Sequence, residues 1–305
     1  MIVRIIQFLL VSLFAFSEYD LLKASKKHNK WADVKATTPY KWGWGMVSGF
    51  TGLCLDTLGI GSFAVLSSFW RPTKICKDIN LPGTLNCGTV FGGFIEAFIF
   101  VAAVDCDVKT IIFMCISAAI GAYLMAGIVV KWDVKKLRII LGICLIACAI
   151  VMVCKNVGFG PFGVVGTARG LYGWKLVVGC IFNFIWGALM NVGFGIYAPC
   201  MATCIMLGCD PVVTFPIFMC SCCFEMPFSA HMFYKEGRFD LPLILCLQTA
   251  GIVGVFIAAF VVTSLPIYYL LFLIAGVLTV VGITLVRDGV IGKEDVEHSE
   301  LEAKS

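Results

Sequence analysis

Charge is what this chain has least of. Asp, Glu, Lys and Arg make up only 14% of its residues, whereas a soluble globular domain has about a quarter. Histidine is scarcer still: His28 and His298 lie in polar segments, and of the three only His231 lies in an apolar one. These shortages exclude an ordinary soluble domain and leave too few imidazoles for a histidine metal centre. No metal and no cofactor is expected. The net charge of +4 says nothing for nucleic acid as a partner; its meaning lies in how the cations divide between two sides of a membrane.

What is present is apolar sequence: 60% of residues are hydrophobic and the mean hydropathy is +0.96. Apolar segments recur, and at 1.5 Å per residue about twenty residues cross the ~30 Å core of a bilayer, so the spans read as helices and not as barrel strands. The fold class expected is an all-α polytopic membrane protein. Sixteen cysteines would suggest a disulfide scaffold in a small secreted chain, but nearly all stand in apolar segments, where free cysteine acts as a small packing residue. Only Cys220-Ser-Cys-Cys223 suggests redox or metal chemistry.

Two glycine breaks organise the rest. Asp56-Thr-Leu-Gly-Ile-Gly-Ser-Phe63 interrupts an apolar run with two glycines and a carboxylate, and Asn191-Val-Gly-Phe-Gly-Ile-Tyr197 sets Gly193 and Gly195 opposite Gly59 and Gly61, 134 positions on. Pro82 and Pro216 share that offset, and Asp107 and Asp240 stand 133 apart. The chain therefore reads as two transmembrane repeats, 42–155 and 173–287, each a Gly-x-Gly-broken helix pair followed by three transmembrane helices. An additional N-terminal helix (1–22) and a basic link (23–41) precede them, a Gly-rich connector (156–172) joins them, and a polar tail (288–305) follows. The apolar run in 1–22 is short for a span, and signal peptides and interfacial helices share its pattern; it is expected to form a first transmembrane helix. Gly158-Phe-Gly-Pro-Phe-Gly163 in the connector spells a dinucleotide fingerprint, but no strand precedes it and Pro161 spoils the turn.

Three spans after each broken pair make the second repeat inverted relative to the first. One face then receives eighteen Lys and Arg and the other five, namely Arg4, Lys109, Lys155, Arg169 and Lys175. The positive-inside rule makes the first face cytoplasmic, with the N-terminus outside and the C-terminus inside the cell membrane.

Inverted repeats with interrupted helices are the architecture of secondary transporters, which work by alternating access about a midplane site. The amides at the start of a half-helix lack partners and carry roughly half a positive charge, and glycine lets a ligand approach them closely. An anionic substrate is expected against the amides of Gly61, Ser62, Gly195 and Ile196, with Gly59, Gly193 and Tyr197 beside it. Glu96 and Glu225 lie inside spans, where a carboxylate costs roughly 3 kcal/mol even on insertion scales. They are expected to carry a coupling proton, together with His231 further along the helix of Glu225; sodium is the alternative coupling ion. Asp56 is expected to cap the half-helix after the first break.

The run Gly83-Thr-Leu85, a long span and then Asp105-Cys-Asp107, after Gly59-Ile-Gly61 and a Pro-containing loop, resembles the TauE/SafE family of sulfite and organosulfonate exporters. Gly193-Phe-Gly195 and Gly237-Arg-Phe-Asp240 repeat the resemblance, which covers 42–287. It implies an inverted-repeat permease that exports small sulfur-containing anions, a transporter and not an enzyme, with Thr84 at the substrate. The chain departs from the family pattern in that the third glycine is Ser62 and Ile196, the serine after the threonine is Leu85, and the second-half counterpart of Thr84 is Phe218. Asn86, Cys87, Cys220 and Ser221 are at hand to replace the lost polar contacts. The competing function is a membrane thiol-redox enzyme built on Cys220, Cys222 and Cys223.

Overall fold

The computed structural model describes residues 2–59, 61–129, 134–157, 166–190 and 195–291. It is 86% helical, with no strand among the described residues. Among the described residues, five helical stretches are long and apolar enough to cross a membrane: Arg4–Lys27, Gly83–Ala103, Pro211–Glu236, Leu241–Ser264 and Tyr268–Val290. Large apolar side chains face outward, Phe8 at 70% and Phe260 at 74% exposure. Lipid stabilises such a surface and water does not. The protein is an all-α membrane protein.

In chain order the helices are α1 (Ile2–Lys27), α2 (Lys30–Lys35), α3 (Pro39–Thr57), α4 (Ser62–Thr73), α5 (Leu81–Ala103), α6 (Val108–Val129), α7 (Val134–Val157), α8 (Trp174–Met190), α9 (Tyr197–Met206), α10 (Pro211–Glu236), α11 (Leu241–Cys246), α12 (Ile252–Ser264) and α13 (Ile267–Ile291). A single π turn, Leu247–Gly251, joins α11 to α12 as one span. Several starts are written in the sequence as a polar cap followed by proline: Thr38 accepts from the Lys41 amide ahead of Pro39, Asp210 from Val212 ahead of Pro211, and Asp240 from Leu243 ahead of Pro242. The stretch 23–41, expected as a link, is largely helical. Lys26 and Lys27 close α1, where cations complement the negative end of a helix, and α2 follows at once.

Helices α5 and α10 form the centre and run antiparallel. A Cβ on Gly83, at the start of α5, would overlap the Arg238 carbonyl just past α10, and Phe100 near the end of α5 stacks on Phe215 near the start of α10 at 5.1 Å. Around them α6 lies parallel to α8, with Asn183 Nδ2 donating to the Met114 carbonyl at 2.7 Å. The span Leu241–Ser264 lies parallel to α3, where Gly45 and Gly49 let Cys246 come close. Helices α7 and α13 pair antiparallel through Gly142 and Gly282. When α3–α7 are exchanged for α8–α13, each of these pairings maps onto itself or onto another.

The two aspartates 133 positions apart serve these pairings alike. Asp107 accepts from the Thr110 amide at 3.0 Å, and its own amide donates to the Arg169 carbonyl ahead of α8. Asp240 caps α11 and forms an ion pair with Lys41 at the start of α3. Helix α1 lies outside this scheme, across α5 and α10, with Phe14 stacked on Phe91 at 4.7 Å.

Candidate functional site

Helix α3 stops because Gly59 and Gly61 have φ of +94° and +87°, a backbone that other residues adopt only under strain. The turn brings the chain back on itself, so that Asp56 Oδ1 accepts from the Ser62 amide at 2.6 Å and caps α4. The Ser62 amide, expected to face a substrate, is therefore already engaged. On the other side, α9 begins at Tyr197 behind the buried Ile196. Gly193, with the rest of 191–194, lies outside the described residues, as do Ile60, the fingerprint-like Gly158 to Gly163 and the tail beyond Ile291.

The two breaks meet at one carboxyl group. Glu96, fully buried in α5, accepts at Oε1 from Thr57 Oγ1 at 2.7 Å and at Oε2 from the Tyr197 hydroxyl at 2.9 Å. Thr57 is the last residue of α3 and Tyr197 the first of α9. Asp56, also buried, directly precedes Thr57 in α3 and so lies one residue from the donor to Glu96. Met201 of α9 reaches the first break, its Cε 3.2 Å from where a Cβ on Gly59 would be, and Tyr197 leans on Phe218 of α10 at 4.8 Å. Gly61 and Gly195 have no neighbour within 4 Å of a would-be Cβ, which leaves room beside the backbone at both breaks.

Other expected residues sit elsewhere. Glu225 is buried on α10 with no hydrogen-bond partner at either oxygen among the described residues, and it does not join Glu96. His231 lies six residues further, about 9 Å along the helix axis, and pairs with Asp20 of α1. Thr84 is pinned at the start of α5, donating to the Asn80 carbonyl at 2.6 Å and accepting from the Asp240 amide at 2.9 Å. Twelve residues separate it from Glu96, about 18 Å of helix. Asn86 is buried on the next turn, and Cys87 faces the Ala230 carbonyl. Ser221 donates to the Ile217 carbonyl and accepts from Asn183 of α8, while Cys220 is fully buried beside it. Cys222 and Cys223 are as buried as Cys220, and all sixteen cysteines are free.

Sequence reasoning missed Thr57, Met201 and the polar face of α1, where Glu18 accepts from Gln248 at 2.7 Å. Two acidic residues in an apolar helix were the signal for that face. Thr57, inside the first break motif, was the signal for the other. No family model matches this chain, and no curated protein sequence or solved structure matches it either.

Proposed function

We propose that the protein is a secondary transporter of the cell membrane that exports a small sulfur-containing anion, such as sulfite or an organosulfonate, by alternating access between two inverted repeats. The observation that carries this reading is Glu96, held at once by the end of α3 and the start of α9. Two interrupted helices that share one buried carboxyl form a joint whose two arms move together, as alternating access requires. The inversion is supported by the parallel pairing of α6 with α8 and of Leu241–Ser264 with α3, together with the antiparallel crossing of α5 and α10. Those contacts gather Lys41, Asp240, Gly83, Arg238, Lys135 and Gly289 on one side. By the cation count this side is cytoplasmic, with the N-terminus outside. The sulfur chemistry comes from the family resemblance alone.

Asp56 and Glu96 set a condition on the substrate. An anion entering a water-poor site beside two carboxyl groups adds negative charge where charge is costly, and a proton entering with it removes one. Proton coupling through Glu96 is therefore part of the proposal, with Glu225 as a second carrier.

The test is ligand-dependent thermal stabilisation of the purified protein across sulfite, thiosulfate, sulfate, sulfoacetate, taurine and carboxylate controls. A ligand of the native state raises stability with the logarithm of its concentration over Kd. Selective stabilisation by sulfite or a sulfonate, lost on replacing Gly61 or Gly195 by a bulky residue, is the expected result. A shift with carboxylates alone would remove the sulfur substrate, and no shift with any anion would remove the site.

A further inference from the structure

At the face where α2, the start of α3, the end of α4 and the start of α5 meet, there is a cavity of about 470 Å³. That is a ligand-sized volume. Four lysines line it, Lys30, Lys41, Lys74 and Lys77, against two aspartates, Asp33 and Asp240. Lys30 lies 4.0 Å from Asp33 and its ammonium 5.2 Å from the centre of the Phe239 ring, and Lys41 pairs with Asp240. Those pairs hold two cations in place and consume both anions. Among the described residues Lys74 and Lys77 carry no ion pair, so two full positive charges look into the same space. Lys74 also has φ of +51°, an uncommon conformation for a residue with a side chain.

We infer that this cavity binds a phosphate-bearing ligand of the phosphorylated-inositol kind. A phosphomonoester carries between one and two negative charges near neutral pH and three acceptor oxygens, which matches the two unpaired ammonium groups. Tyr40 on the cavity wall is 56% exposed and packs edge-on against Trp44, and Trp31 next to Lys30 is also exposed. Exposed Trp and Tyr of this kind mark headgroup depth, so a lipid headgroup and a soluble inositol phosphate can both reach the site. The inference does not depend on what the protein transports.

The experiment is fluorescence-polarisation titration of the full chain in detergent with labelled inositol trisphosphate and, separately, with labelled short-chain phosphatidylinositol bisphosphate. Saturable binding is expected, weakened by more than about thirtyfold, the loss for two lysine charges removed, in Lys74→Glu/Lys77→Glu. A control with Lys109→Glu/Lys135→Glu, both exposed and outside the cavity, is expected to bind as the unaltered protein does. Lys74→Gln/Lys77→Gln, with a smaller loss, guards against misfolding of the charge-reversed protein. Tighter binding of the lipid identifies a membrane headgroup, and tighter binding of inositol trisphosphate identifies a soluble ligand. Failure of both to saturate, or equal weakening in the control, overturns the inference.

Discussion

Tyr197 donates its hydroxyl to Glu96 Oε2 across 101 residues of chain and so ties the first turn of α9 to the middle of α5. Tyr197→Phe keeps the ring against Phe218 and leaves that oxygen with one donor fewer. A buried acceptor stripped of its partner costs about 1–3 kcal/mol. Thermal melting is expected to drop accordingly. Uptake into proteoliposomes, if the transport reading holds, falls much further than stability does.

Glu225 offers a direct test of proton coupling, because nothing in the described structure occupies its oxygens. In Glu225→Gln the side chain keeps its shape and loses its ability to carry a proton. Transport measured against pH is expected to flatten. A variant that retains the full pH dependence would rule out Glu225 as a carrier and leave Glu96 alone.

Close helix contacts predict a contrast between two glycines. A Cβ on Gly121 would overlap the Phe184 carbonyl, whereas one on Gly276 meets nothing within 4 Å. Gly121→Ala is expected to force α6 off α8 at a cost of about 1–3 kcal/mol. Gly276→Ala in α13 is expected to be neutral or to stabilise by up to about 1 kcal/mol, since alanine is the better helix former. Paired melting curves decide it.

Asp107 caps α6 through the Thr110 amide and also accepts from its hydroxyl at 2.8 Å. Asp107→Ala is expected to lower stability by about 1–2 kcal/mol, and Asp107→Asn by less because the amide oxygen still caps. Denaturation of the two variants side by side checks the order.

The all-α, membrane character of the chain and the position of its first helix break were legible because they depend on composition and local chemistry. Thr38-Pro39, Asp210-Pro211 and Asp240 announce helix starts, and the glycines at 59 and 61 announce the first break. The capping role of Asp56 followed from its place before the turn. What could not be read was which side chains meet after folding. Thr57 and Glu96 stand 39 residues apart, and Asp20 meets His231 across 211; no periodicity encodes such pairings. Thr84 was placed at the substrate by its position in a motif, yet its hydroxyl holds the Asp240 amide at the other end of α5. The π turn at Leu247–Gly251 has no proline to betray it, and it too escaped the sequence.

The parallel pairing of α3 with Leu241–Ser264 has a consequence for how the protein is made. About two hundred residues lie between the start of α3 and that span, so at about 5–20 residues per second the ribosome delivers the partner some 10 to 40 seconds later. Until then the glycine face of α3 that receives Cys246 is open to the bilayer. The α3–α4 pair cannot mature without that later span, because one wall of it is supplied by Leu241–Ser264. Closure of this wall in the membrane must therefore wait until Leu241–Ser264 has been made.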